Sequence, residues 1–466
     1  MGLIGSPTGL IPVRFNKILH HHRSPPSIIR SYGAGAAGAG WKSAEKPPIC
    51  TADELHYVPV DNSDWRLSLW RYLPSSQGKE RNHPLLLLSG LGTNAIGYDL
   101  SPDASFARYM SNEGFDTWIL ELRGAGLSAE HGAGESLPNM GEITNAKSDI
   151  SSISQQLSKI ESRTNDVQLR TKLRETITNI SSQLTNLITA GFLEAKQKAA
   201  IATQMKNFQK QLGSTEKYNW DFDHYLTEDL PAAMEYIKTC CTPKDGKLLA
   251  IGHSMGGILL YAALSQTSYN GRPSGLASII TLASSLDYTT SQSSLRYLLS
   301  IADPAKTLNV RLIPLGALLA VAYPFATRPP YFLSWLSSQV SAQNIDSEML
   351  ERLILNNFCT IPAKLLLHLS TTFENGGLRN RSGTFLYKKH LCKSNVPVLA
   401  LAGDKDLICP PEAVYETVKH IPEQLVSYKV LGEPRGPHFG HYDLVGGLGA
   451  PDIVYPHIIE FLSRHD

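Results

Sequence analysis

Acidic residues are missing from Met1 to Ala44, whereas Arg14, Lys17, Arg23, Arg30 and Lys42 are scattered there among Ser, Pro and Gly. An acid-free, basic leader of this kind has the composition of a plastid or mitochondrial transit peptide. The Gly33–Gly40 run of Gly and Ala offers nothing that packs a core. No continuous apolar stretch follows the basic residues, which argues against a secretory signal. Met1-Gly2 followed by Ser6 also meets the minimal myristoylation pattern. A cytoplasmic or lipid-anchored, membrane-associated location and a plain disordered tail therefore stand beside the organelle address. No run reaches the roughly 18 apolar residues of a membrane-spanning helix. The nearest, Leu312–Phe325 (LIPLGALLAVAYPF), reads as a buried or lid helix. Cysteine is scarce: six residues, no C-x-x-C pair and no Cys/His spacing for zinc, which fits a reducing compartment. A net charge of +1 argues against a nucleic-acid binder, which carries a strongly basic face.

What is present is a chain able to bury a large core, with 42% hydrophobic and 18% charged residues. Leu55–Val60 and Trp65–Tyr72 flank the turn-rich Asp61-Asn62-Ser63-Asp64 and predict a β-hairpin. The short apolar runs Leu85–Leu88, Thr117–Leu120, Leu248–Ile251, Ala277–Leu282 and Pro397–Ala402 read as strands buried on both faces. Helical patterns such as Phe106–Met110 and Gly257–Leu264 lie between them. That alternation predicts an α/β fold with a mostly parallel central sheet. Two long stretches interrupt it. From about Lys147 to Leu212, apolar residues step by three and four (Ile150, Ile153, Leu157, Ile160; Leu173, Ile177, Ile180, Leu184), as in a helical hairpin or short coiled coil. Helices lying on the domain surface and an arm for a protein partner or self-association are equal readings of that insertion. The second stretch, about Thr290 to Lys393, reads as a helical cap.

The chemistry-bearing signal is Leu249-Ala250-Ile251-Gly252-His253-Ser254-Met255-Gly256-Gly257, a G-x-S-x-G directly after an apolar strand and before a helical run. A serine on so tight a turn takes a strained backbone, and side chains at the flanking positions clash. The following helix directs its N-terminal dipole toward developing negative charge. A serine hydroxyl needs a base oriented by a carboxylate. Leu401-Ala402-Gly403-Asp404-Lys405-Asp406 ends a strand, and its Gly-x-x-Asp spacing favours Asp406 over Asp404. Gly436-Pro437-His438-Phe439-Gly440-His441-Tyr442-Asp443 supplies two histidines, with His441 the better base and His438 a pocket or loop residue. An oxyanion hole needs two N–H groups aimed at one point. Met255, after the nucleophile, and Leu91, in the Ser89-Gly90-Leu91-Gly92 turn, are the candidates.

On these motifs the chain resembles an α/β-hydrolase of the lipase/esterase kind, and within it the acid (lysosomal and gastric-type) lipase family. The resemblance rests on His56-Tyr57-Val58, Leu67–Arg71, Gly114–Trp118 through Arg123-Gly124, Trp220-Asp221-Phe222, Asp229–Ala232, the elbow around Ser254 and Gly440–Asp443. It spans roughly residues 52–147, 216–290 and 394–466. It implies hydrolysis of apolar or lipid-like carboxylic esters through an acyl-enzyme on Ser254, Asp406 and His441, with no metal or organic cofactor. The family usually has His-Gly-Leu where this chain has Ser89-Gly90-Leu91.

The resulting map is a leader at 1–50, hydrolase core at 51–147, helical insertion at 148–215, core with the nucleophile at 216–290, helical cap at 291–393 and core with acid and histidine at 394–466. The expected partner is a small apolar ester or lipid. Peripheral membrane contact through the cap, and protein contact through the 148–213 helices, are further expectations. An acyltransferase on the same triad, a lyase, and a non-catalytic binding or scaffold protein are the rival readings.

Overall fold

The chain was examined as a computed structural model that describes residues 40–130, 197, 199–200, 203, 218–299, 311–327, 334–342 and 344–466. The leader to residue 39, most of the insertion, and residues 300–310 and 328–333 of the cap lie outside the described residues. The transit-peptide and coiled-coil expectations lie outside them too.

The apolar runs assemble into a ten-stranded sheet. Its strands are β1 (Trp41–Lys42), β2 (Glu54–Pro59), β3 (Trp65–Tyr72), β4 (Leu85–Leu88), β5 (Thr117–Glu121), β6 (Ala129–Glu130), β7 (Leu248–His253), β8 (Leu276–Leu282), β9 (Val398–Gly403) and β10 (Val426–Leu431). The order is β1-β2-β3-β5-β4-β7-β8-β9-β10, with β6 on β3. From β5 through β10 neighbours run parallel, while β1, β2, β3 and β6 form an antiparallel margin. The all-leucine β4 and the β7 run LLAIGH are buried along their whole length, as parallel strands covered on both faces require. Truncating a leucine of β4 to alanine costs about 2–5 kcal/mol for a buried site of this kind.

The β2–β3 hairpin turns where expected, with Asn62 in the left-handed region at φ 55°. Two features escape the sequence pattern. Trp41–Lys42, placed by composition in the leader, pairs with His56–Tyr57, and Cys50 is buried. Trp41 there contacts Tyr57, and Arg66 lies over the Trp41 and Tyr57 rings. Two paired residues carry no periodicity, which hides such a strand. The edge strand β10 is mostly exposed or half-exposed and lacks the apolar run of its neighbours.

Strand order reverses around β4: the chain passes from β4 to β5 on one side, then crosses to β7 on the other. Loops leaving the carboxyl ends of β4 and β7 therefore emerge side by side, the position where open parallel sheets bind ligands. Helix α1 (Phe106–Asn112) connects β4 to β5, and α2 (Met255–Tyr269) leaves the end of β7.

The cap stretch is helical where described: α3 (Leu315–Thr327), α4 (Trp335–Val340), α5 (Ser347–Asn356) and α6 (Ala363–Leu369). The apolar Leu312–Phe325 run begins as a short strand, Leu312–Ile313, paired with Ile361–Pro362, and continues as α3. Among the described residues no helix is long and apolar enough to cross a membrane. Ala320, Tyr323, Ile354 and Leu355 join α3 to α5, and Ala200 of the insertion packs against them. Gln197 Nε2 donates to Glu351 Oε1 of α5 at 2.6 Å. The described part of the insertion is thus helical and seated on the cap.

Candidate active site

Ser254 sits between the end of β7 and the start of α2 with φ 54° and ψ −121°, a conformation that only a well-supported turn gives a residue with a side chain. The support is visible. Ser254 N–H donates to Leu282 O of the neighbouring strand at 2.9 Å. A Cβ at Gly252 would lie 2.4 Å from Gly256 C, and one at Gly256 would lie 2.1 Å from Leu88 O. Both motif glycines are therefore demanded by close backbone approach. Met255 opens α2, whose first N–H groups have no acceptor within the helix.

The Ser89–Gly92 turn passes directly over the elbow: a Cβ at Gly90 would lie 3.4 Å from Ser254 Cβ. Thr93 Oγ1 donates to Gly90 O at 2.9 Å, and Ser89 Oγ to Asn94 O at 3.4 Å. The Ser89 hydroxyl thus has an acceptor within its own turn. Leu91 lies between these anchored residues. On its far side the turn is bonded to the cap, with Cys359 N donating to Gly92 O at 2.7 Å and Asn94 N to Asn357 O at 3.0 Å. A small cavity beside the elbow is lined by Ser89, Gly90, Arg123, Tyr225, Met255 and Ile361, among others.

Asp406 and His441 meet: the imidazole Nδ1 lies 2.9 Å from Asp406 Oδ2. The other carboxylate oxygen accepts from Ile408 N and Cys409 N, each at 2.8 Å. With its carboxylate fully buried and held from two sides, Asp406 receives a hydrogen from Nδ1 and leaves Nε2 as the basic nitrogen. The two rejected candidates meet each other. His438 Nδ1 lies 2.5 Å from Asp404 Oδ2, whose partner oxygen accepts from Phe439 N at 3.0 Å.

Three contributions were invisible in the pattern. His253, the variable residue before the serine, has Nε2 at 2.9 Å from His441 O and its ring 4.8 Å from that of His441. Burial, and after it the neighbouring His441, push His253 down to about 3, so it is neutral and donates through Nε2. The elbow thereby reaches the histidine loop directly. Arg123 is buried against Asp229, with Nε donating at 2.8 Å, and its Nη2 also reaches Glu228 at 2.6 Å. Glu121 is buried and accepts from Ala95 N, Leu127 N and Ser68 Oγ, which ties the loop after the Ser89 turn to β5; burial raises its carboxyl above the usual range. The acidic type at position 121 carries no motif, so only its burial singles it out.

With the elbow, the β4 turn and the Asp–His pair at the carboxyl ends of neighbouring strands, the comparison with known sequences agrees. The alpha/beta hydrolase fold family matches residues 83–443, and the chain belongs to that family. Among solved structures it is similar to a monoacylglycerol lipase of Paleococcus ferrophilus, at 13% identity and TM-score 0.43, covering 85% of this chain and 99% of that one. A carboxylesterase structure from Nitrososphaera gargenis is similar at 14% identity and TM-score 0.44, covering 88% and 98%. The soluble variant of a Saccharomyces cerevisiae monoglyceride lipase is similar at 12% identity and TM-score 0.44, covering 88% and 94%. Among curated proteins none matches the chain.

Proposed function

We propose that the chain is a serine hydrolase that cleaves carboxylic esters of apolar or lipid-like substrates through an acyl-enzyme. The observation that carries this reading is the buried Asp406–His441 pair joined through His253 to the strained elbow of Ser254. His441 Nε2 takes the proton of the Ser254 hydroxyl as its oxygen attacks the ester carbonyl. Asp406 holds the tautomer and stabilises the imidazolium that forms. The N–H groups of Leu91 and Met255 receive the oxyanion, the transition-state feature that such a site binds best. Collapse expels the alcohol with the proton from His441, and water then repeats the attack and releases the acid. The apolar substrate class follows from the resemblance to acid lipases in the core motifs and from the apolar cap helix α3.

Labelling of the full chain with a fluorophosphonate probe tests this reading. Native protein is expected to label and Ser254→Ala is not; native protein that stays unlabelled overturns it. An ester panel run with and without an added alcohol then separates the hydrolase from the acyltransferase, since only the latter passes the acyl group to the alcohol in preference to water.

A further inference from the structure

The cap touches the catalytic frame at both ends of helix α5. After the helix, Asn356–Cys359 is bonded to the oxyanion turn, with Asn94 Nδ2 donating to Asn356 O at 2.8 Å and an antiparallel bridge between Thr93 and Phe358. Before it, residues 340–344 are bonded to the loop that carries His441. Tyr442 N donates to Val340 O at 2.8 Å, Asn344 Nδ2 to His438 O at 3.2 Å, and Leu448 N to Asn344 O at 2.7 Å. One side chain joins the two backbones. Asp443 is fully buried, and its Oδ2 accepts from Gly440 N on the histidine loop and from Ala342 N on the cap, both at 2.7 Å. Gly440 permits the approach, because a Cβ there would lie 2.7 Å from Ala342 N.

We propose that Asp443 is a positioning residue for His441, which it serves by holding the histidine loop against the cap. The proposal rests on the serine-hydrolase reading above. The physical reason is that the imidazole is otherwise fixed at two points only, its ring by Asp406 and its carbonyl by His253. Gly440 directly precedes the histidine, so the N–H that Asp443 accepts sets the direction in which the chain enters residue 441. No lysine, arginine or histidine forms an ion pair with Asp443 among the described residues. Its carboxylate is committed to backbone donors, and burial raises it above the usual range, against the Ser341 hydroxyl and the Ala342 and Gly440 N–H groups. Removing the acceptor leaves two buried donors without a partner, which frees the loop to shift. A displacement of about 1 Å in a catalytic group costs on the order of 100-fold in rate.

The test uses the full chain, with fluorophosphonate labelling rate, kcat and KM on p-nitrophenyl butyrate, and Tm. Asp443→Ala is expected to slow labelling and kcat by about 10- to 100-fold while KM stays within about twofold, because substrate binding does not pass through Asp443. Asp443→Asn keeps one oxygen able to accept both N–H groups and is expected within about threefold of native. A folded Asp443→Ala protein that labels at the native rate, or Ala and Asn variants that are equally slow, overturns the proposal. Where Asp443→Ala does not fold, Ala342→Pro removes the cap's donor and leaves the histidine loop untouched; Ser341 before it is already extended, as a residue preceding proline must be. A drop of about three- to tenfold is expected there, and a native rate overturns the link. Absence of labelling in the native protein overturns the serine-hydrolase reading and this proposal together, whereas native labelling with an unaffected Asp443→Ala overturns this proposal alone.

Discussion

Two Asp–His pairs lie side by side in this protein, Asp404 with His438 and Asp406 with His441, on the same two loops. Their environments differ. The Asp406 and His441 side chains are 0% and 9% exposed, those of Asp404 and His438 22% and 38%. The inner carboxylate accepts from two backbone N–H groups besides the histidine, and the inner histidine is held through its carbonyl by His253. The outer pair has one backbone donor on its carboxylate, and the His438 carbonyl accepts from Asn344 of the cap. The lesson is that pairing alone does not make a catalytic dyad. Burial strengthens the hydrogen bond and fixes the imidazole, while an exposed pair is worth little beyond local loop order.

The histidines give the sharpest way to break this contrast. His441→Ala is expected to lower ester hydrolysis by about 10⁴-fold or more, and His438→Ala by less than about threefold. Equal losses would mean that the outer pair also takes part, which initial-rate measurements on one ester decide. Next come the acids. Asp406→Asn is expected to cost about 10³- to 10⁴-fold in kcat through the wrong imidazole tautomer, and Asp404→Asn less than about threefold. In the alanine forms, loss of the Asp406 acceptors is expected to cost about 2–4 kcal/mol in urea unfolding, against about 1 kcal/mol or less at Asp404.

The smallest effect belongs to the link that only the inner pair possesses. The folded state holds His253 down to about 3 from 6.5, with burial the chief cause. Between those values the unfolded chain binds a proton that the native chain does not, so stability is full above 6.5 and falls as pH drops toward 3. His253→Gln removes that titration and is expected to flatten the fall of Tm between pH 7 and pH 4. Parallel Tm curves for native and variant would show that His253 does not contribute to acid sensitivity.

Much of the architecture was legible before any coordinates. Buried parallel strands read as unbroken apolar runs, which is why Leu85–Leu88, Leu248–Ile251 and Pro397–Ala402 stood out. The edge strand Val426–Leu431 and the two-residue strand Trp41–Lys42 did not, because one lacks an apolar run and the other is too short for a period. Glu121, Arg123–Asp229 and Asp443 act through burial and backbone acceptors, and neither leaves a spacing in the sequence. The Gly-x-x-Asp and Gly-His spacings favoured Asp406 and His441, yet they said nothing of the partner that Asp404 finds in His438.

By itself the sequence determined the elbow. A serine between two glycines that must lie within 2.4 Å and 2.1 Å of neighbouring backbone is a local constraint, and local constraints are written in adjacent residues. Which carboxylate meets which histidine, and which pair is buried, was decided only by the tertiary structure. Those contacts join residues 34 and 35 positions apart, and burial depends on what the rest of the chain places over them. The same holds for the cap at Ala342 and the histidine loop at Gly440, brought to one carboxylate oxygen across 101 and 3 positions of sequence.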